Sequence, residues 1–200
     1  MLYLYGDSHA QSSFKGLLID HKDCHTVSIT MHRVGRDNVL LNKKNHTHAD
    51  IICVAFGEVD CRCHVQKQIN MGRDEDEIIH DLVIPYFNTI KNNITQFKKI
   101  IIVGIIPPTK QIDYESLYGP ITHEFPFVGS DSDRVRYTNK INTSIEKMCS
   151  LYNYIYFNPY SYYTREDGTL KHELSDTTVH IGDTTHFINE FTKLYDDISK

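Results

Sequence analysis

Leu2-Tyr3-Leu4-Tyr5-Gly6-Asp7-Ser8-His9 opens a chain of 200 residues and decides how the rest is read. Its apolar and aromatic run suits a buried β-strand. Gly6 breaks that run where unusual backbone angles are needed, and Asp7 and Ser8 are common turn residues. In an open α/β sheet, chemistry collects beyond the carboxyl ends of the strands. A serine just past the first strand is therefore a candidate nucleophile.

Further strands follow downstream. His25-Thr26-Val27-Ser28-Ile29-Thr30-Met31 alternates polar and apolar residues and predicts a second strand, followed closely by Gly35. Asp50 to Phe56 is a continuous apolar run, as expected of a strand covered on both faces of a parallel sheet, and ends at Gly57. Lys99 to Ile106 is the clearest strand, stopped by Pro107-Pro108, and Tyr154 to Phe157 predicts a fifth. Between them, residues 9–19 read as a short helix or turn. Residues 74–98 carry a long helical pattern that Pro85 begins anew or kinks. Helical patterns also cover 134–151 and about 184–198, the last with Phe187, Phe191, Leu194, Tyr195 and Ile198 on one face. Strands alternating with helices predict an α/β fold with a five-stranded parallel sheet between helical layers. Residues 109–133, rich in Gly, Pro and Ser, predict a long connection of the kind that is functional or a plain surface insertion.

Composition narrows the function classes. With 40 % hydrophobic residues the chain suits one globular domain spanning 1–200. The formal charge of −5 argues against a nucleic-acid groove. No apolar run is long enough for a membrane span, and no signal peptide is visible before the first strand. Five cysteines, an odd number, predict reduced thiols and a cytoplasmic setting. Cys61-Arg62-Cys63 is not a zinc knuckle, and His46-Thr47-His48 and the His21, Cys24, His25 group lack a partner pair of recognised spacing, so no metal is expected. Gly6-Asp7-Ser8 does not supply a dinucleotide fingerprint, no P-loop is present, and no cofactor is expected. Richness in Ile, Lys, Asn and Tyr suggests an AT-rich genome, such as that of a large DNA virus.

Two further blocks stand beside the first: Phe56-Gly57-Glu58-Val59-Asp60-Cys61-Arg62, and Ser175-Asp176-Thr177-Thr178-Val179-His180-Ile181-Gly182. Together, and in this order, they resemble the motif blocks of the SGNH (GDSL-type) hydrolases over residues 2 to about 190. The resemblance implies a three-layer, flavodoxin-like α/β/α arrangement. It also implies a serine esterase acting on a small O-acyl ester, a carbohydrate O-acetyl group by analogy, with a small-molecule or glycan ester as partner. Ser8 becomes the nucleophile, His180 its base and Asp176 the group that fixes the imidazole. An acyltransferase using the same serine is an alternative. So is a catalytically impaired protein that keeps the fold for binding or assembly.

Two departures from the family pattern bear on the site. The usual Asp-x-x-His is here Asp-x-x-x-His, which requires the loop to bulge. A rival pair, Asp183 and His186, keeps the usual spacing, but Asp183 is placed to cap the last helix and His186 to lie in its first turn. In the middle block, the resemblance expects Gly-x-Asn-Asp with an amide donor for the oxyanion. Here an aspartate, Asp60, follows Gly57-Glu58-Val59, and an ionised carboxylate only accepts hydrogen bonds. Asp60 could be protonated, point elsewhere, or leave donation to Arg62; the preferred arrangement is an Asp60–Arg62 pair anchoring the loop. The other donors implied are the backbone amides of Ser8 and Gly35. Arg134 and Arg136, after the long connection, are either binders of an acidic substrate group or solvated arginines at a helix start.

Overall fold

The computed structural model describes residues 1–39, 50–94, 99–122 and 124–199. His46 and His48 lie outside the described residues. Five strands, β1 (Leu2–Gly6), β2 (His21–Asp23), β3 (Ile51–Ala55), β4 (Lys99–Val103) and β5 (Ile155–Phe157), form one parallel sheet in the order β2-β1-β3-β4-β5. The chain starts near the middle of the sheet and winds to each edge in turn. The helices are α1 (Ser8–Ser13), α2 (Met31–Asp37), α3 (Val65–Asn70), α4 (Glu75–Asn93), α5 (Gln111–Tyr118), α6 (Asp131–Tyr152) and α7 (Thr185–Ser199).

The period-two geometry of a strand divides its side chains between two cores. Leu2, Leu4, Ile51, Cys53, Ile101 and Val103 pack with Phe14, just past α1, and with Phe187 and Phe191 of α7. Tyr3, Tyr5, Ile52, Val54, Ile100 and Ile102 pack with Met31 and Val34 of α2, with Ile78 to Ile90 of α4, and with Tyr137, Ile141 and Ile145 of α6. Helices therefore cover both faces of the sheet. This explains why its central strands read as unbroken apolar runs.

The second strand lies elsewhere than its alternation predicts. β2 is the polar edge segment His21–Asp23, while 25–30 is irregular, with Ser28 at φ 58° and Val27 exposed. A short edge strand needs only one hydrogen-bonded neighbour and buries little, so it leaves no hydrophobic signal. Gly35 is consequently not in a loop after a strand but inside α2. A Cβ there would sit 2.8 Å from the Pro85 Cβ and 3.0 Å from the Tyr86 nitrogen of α4. Pro85 stands within α4, not at the start of a new segment, and the Thr89 hydroxyl of the next turn donates to the carbonyls of Pro85 and Val34. The 109–133 connection contains α5, which buries none of its residues and so carries no periodic signal. α6 starts at Asp131, ahead of the expected 134, because Ser130 and Asp133 form a reciprocal capping box.

The α2–α4 contact makes a test. Alanine in place of an interior helix glycine ordinarily stabilises by up to about 1 kcal/mol. Overpacking costs about 1–3 kcal/mol, and here the added methyl meets a rigid proline and a backbone nitrogen. Gly35→Ala should therefore lower stability in urea unfolding; a stabilised variant would contradict this packing.

Candidate active site

Gly6 ends β1 where nothing larger fits: a Cβ would lie 2.2 Å from the Ala10 Cβ and 2.6 Å from the Ala55 carbonyl oxygen. The chain then turns directly into α1. The buried Asp7 caps that helix, its Oδ1 accepting from the amides of His9 (2.9 Å) and Ala10 (3.4 Å). Burial raises the Asp7 pKa, and the neighbouring His9 and these amides offset only part of the rise. Ser8 is thereby fixed as the first residue of α1, where its own amide has no intrahelical acceptor.

His180 reaches Ser8 from 172 positions away, with its Nε2 3.1 Å from the serine Oγ. Its Nδ1 lies 3.2 Å from Asp176 Oδ2 and 3.2 Å from Thr178 Oγ1. The tautomer with its proton on Nδ1 satisfies these contacts, since it leaves Nε2 free to accept from the serine hydroxyl. The longer spacing is absorbed by a bulge. Ser175 and Ile181 pair as an antiparallel bridge, the Asp176 amide donates to the His180 carbonyl (3.0 Å), and Thr177 takes a left-handed φ of 70°. Gly182 completes the bulge, because a Cβ there would be 2.4 Å from the Ser175 oxygen. Partial burial works against the ionised Asp176, but hydrogen bonds from His180 and Thr178 outweigh it and hold its pKa well below the usual carboxylate range.

The rival pair sits apart from this arrangement. Asp183 accepts from the Thr185 amide (3.0 Å) at the start of α7, and the His186 ring stacks on Tyr162 at 4.2 Å.

The middle block departs from its expected pairing. Gly57 follows β3 at φ 128°, and a Cβ there would meet Ile105 at 2.6 Å and Met31 at 3.0 Å. Residues Asp60–His64 form a π-helical turn. On helical turns, residues four apart face one another and residues two apart do not. Arg62 therefore pairs with Glu58 (2.9 Å), and Asp60 with His64 (3.2 Å), in place of the expected Asp60–Arg62 pair. Arg62 also donates to the Phe125 carbonyl (2.8 Å). Fully buried Asp60 points to α2, accepting from the amides of Met31 (2.7 Å) and His32 (3.4 Å). The hydrogen bond with Asp60 raises His64 to about 9. Aligned on Gly-x-Asn-Asp, the residue at the amide position is Val59, and Asp60 matches the closing aspartate. No side-chain amide stands at that place.

Two residues of the 109–133 connection touch the histidine loop. Thr109 donates to the Thr178 carbonyl (3.2 Å), and the Tyr118 hydroxyl is 2.6 Å from Thr177 Oγ1. Arg134 is buried, donating to the Gly129 carbonyl and to Asp131, with Phe127 beneath it. Arg136 is held by Glu75 and Asp133. Both arginines thus have structural partners.

The residue following the serine carries no motif of its own. His9 is buried with its ring against that of His180, centroids 4.4 Å apart, and its Nε2 is 2.8 Å from Glu58 Oε2. Only its place directly after Ser8 could have drawn attention to it. Among the described residues no group of three or more His, Cys, Asp or Glu side chains could hold a metal, and no helix is long and apolar enough to cross a membrane.

No protein-family model matches the chain, and no curated protein matches its sequence. Solved structures do match. A Streptococcus pneumonia protein described as a candidate platelet activating factor aligns over 100 % of this chain and 83 % of its own, at 14 % identity and TM-score 0.66. A GDSL-like lipase from Bacteroides thetaiotaomicron aligns over 98 % and 86 %, at 13 % identity and TM-score 0.59. The acetyl xylan esterase AlAXEase aligns over 97 % and 99 %, at 15 % identity and TM-score 0.56. At such identities the likeness is one of architecture: the chain has the α/β fold seen in GDSL-type lipases and esterases.

Proposed function

We propose that the protein is a serine ester hydrolase that works through an acyl-serine intermediate. The observation that carries the reading is the chain of contacts Ser8 Oγ–His180 Nε2–His180 Nδ1–Asp176, at 3.1 and 3.2 Å. In this mechanism His180 removes the Ser8 proton as the oxygen attacks the ester carbonyl, and Asp176 steadies the imidazolium that forms. The tetrahedral intermediate collapses as His180 gives the proton to the departing alcohol. Water, activated by the same imidazole, then releases the acid. The Ser8 amide at the start of α1 is one oxyanion donor. Gly35 is not available for that role from inside α2, and the loop after β2 is the proposed source of a second donor. That loop passes the end of β1, where the Thr26 amide donates to the Gly6 carbonyl.

A small O-acyl ester, such as an acetyl group on a sugar, is the proposed substrate. The support is the shared architecture with an acetyl xylan esterase. Transfer of the acyl group to a sugar in place of water would use the same intermediate. A second reading, a fold retained for binding or assembly, is favoured by Val59 and Asp60, which leave the middle block without an amide donor. One lost oxyanion donor costs about 10²–10³ in kcat, so slow turnover fits the hydrolase reading as well.

Hydrolysis of p-nitrophenyl acetate tests the proposal. Ser8→Ala and His180→Ala should each reduce kcat by about 10³-fold or more, whereas His186→Ala should leave it within about twofold. Turnover that survives Ser8→Ala would remove the proposed nucleophile, and loss in His186→Ala alone would move the base. Asp176→Asn should cost less than His180→Ala, because Thr178 also contacts His180 Nδ1; an equal loss would make Asp176 the sole support of the ring.

A further inference from the structure

We propose that His9 is a positioning residue whose buried ring braces the His180 imidazole for proton transfer with Ser8. The proposal rests on the hydrolase reading above and adds a member to its site. Four residues surround the His180 ring. Asp176 and Thr178 hold its Nδ1 edge, Ser8 meets Nε2, and His9 covers a face at 4.4 Å with the planes tilted by 43°. The tether through Cβ and the edge contacts set the ring's place, and what remains is a small tilt that would lengthen both hydrogen bonds. His9, packed on one face, blocks the tilt toward that side.

His9 is suited to the task because it is itself held. Its backbone follows Ser8 in α1, and its amide is bound by the capping Asp7. Its side chain is 7 % exposed. Nε2 lies 2.8 Å from Glu58, an off-axis ion-pair contact, and Glu58 is in turn gripped by Arg62 through Oε1 (2.9 Å) and Oε2 (3.2 Å). Arg62 reaches across to Phe125, and its own carbonyl accepts from the Val128 amide. Burial alone would discharge His9, but Glu58 outweighs it and raises the pKa. Burial likewise opposes the charge on Glu58, yet Arg62 and His9 hold its pKa at about 2. The bulk of the ring does the bracing, and the chain Arg62–Glu58–His9 also links it to the middle block and to the 109–133 connection. This gives Glu58 and Arg62 a use that the missing Asp60–Arg62 pair left open.

Three variants test the brace: His9→Ala and His9→Gln remove the ring, and His9→Phe keeps it. Misplacing a reacting group by about 1 Å can cost about 10²-fold. The two ringless variants should therefore lower kcat for p-nitrophenyl acetate by about tenfold to a hundredfold, with KM within about twofold. His9→Phe should remain within about threefold of the parent. A second readout needs no turnover: the downfield proton resonance of His180 Nδ1–H, recorded in the Ser8→Ala protein. It should be present with His or Phe at position 9 and broadened away with Ala or Gln, in proteins whose thermal melts remain cooperative. If His9→Ala unfolds, the His9→Gln and His9→Phe pair still decides. The brace is wrong if a ringless variant matches the parent in the resonance, or if His9→Phe behaves like His9→Gln. It is also wrong if the resonance is missing with His9 in place. Absent turnover with the resonance pattern intact would overturn the hydrolase reading and leave the brace standing.

Discussion

The hydrogen bond between Ser8 and His180 joins the first turn of the chain to one of its last loops, and nearly every other feature serves to make that meeting possible. β1 lies inside the sheet, so its carboxyl end is fixed by neighbours on both sides. Gly6 lets α1 begin against Ala55 without a gap, and Asp7 caps the helix that holds the serine. From the other end, Phe187 and Phe191 of α7 pack on the same face of the sheet as Phe14. That packing sets where the loop before α7 must pass. A single hydrogen bond thus depends on a large apolar core, since two loops positioned independently would not stay within 3.1 Å of each other.

Beneath the site runs a second layer of polar contacts, organised by helical spacing. The turn after β3 sends Glu58 and Arg62 to one side and Asp60 and His64 to the other. One pair meets His9 and the 109–133 connection; the other receives the amino end of α2. Buried charges are tolerated here because each has a partner. Removing one member would leave the other uncompensated, which is far more costly than the net worth of the pair.

How much of this was legible follows from burial. β1, β3 and β4 were readable because a strand covered on both faces has to be apolar throughout. α4, α6 and α7 were readable because each shows one apolar stripe. β2 was not, since His21, Lys22 and Asp23 form an exposed edge, and α5 was not, since it buries nothing. Ser8, Asp176 and His180 could be singled out from the sequence, and the structure brings these three together. Gly35 could not be placed correctly, because its position depended on the misassigned second strand. The partners of Asp60 and Arg62 depended on a π-helical turn that no local pattern announces. His9 was hidden for another reason. Its meaning lies in a contact with a ring 171 residues further along, and pairwise packing between distant loops leaves no periodicity behind.

The central claim, that Ser8 is a nucleophile activated by His180, is tested most directly by covalent capture. A fluorophosphonate probe followed by peptide mass spectrometry should place one adduct on the peptide carrying Ser8, and His180→Ala should abolish it while the fold is kept. A folded protein that stays unlabelled, or labelling that persists at full rate without His180, would contradict the account.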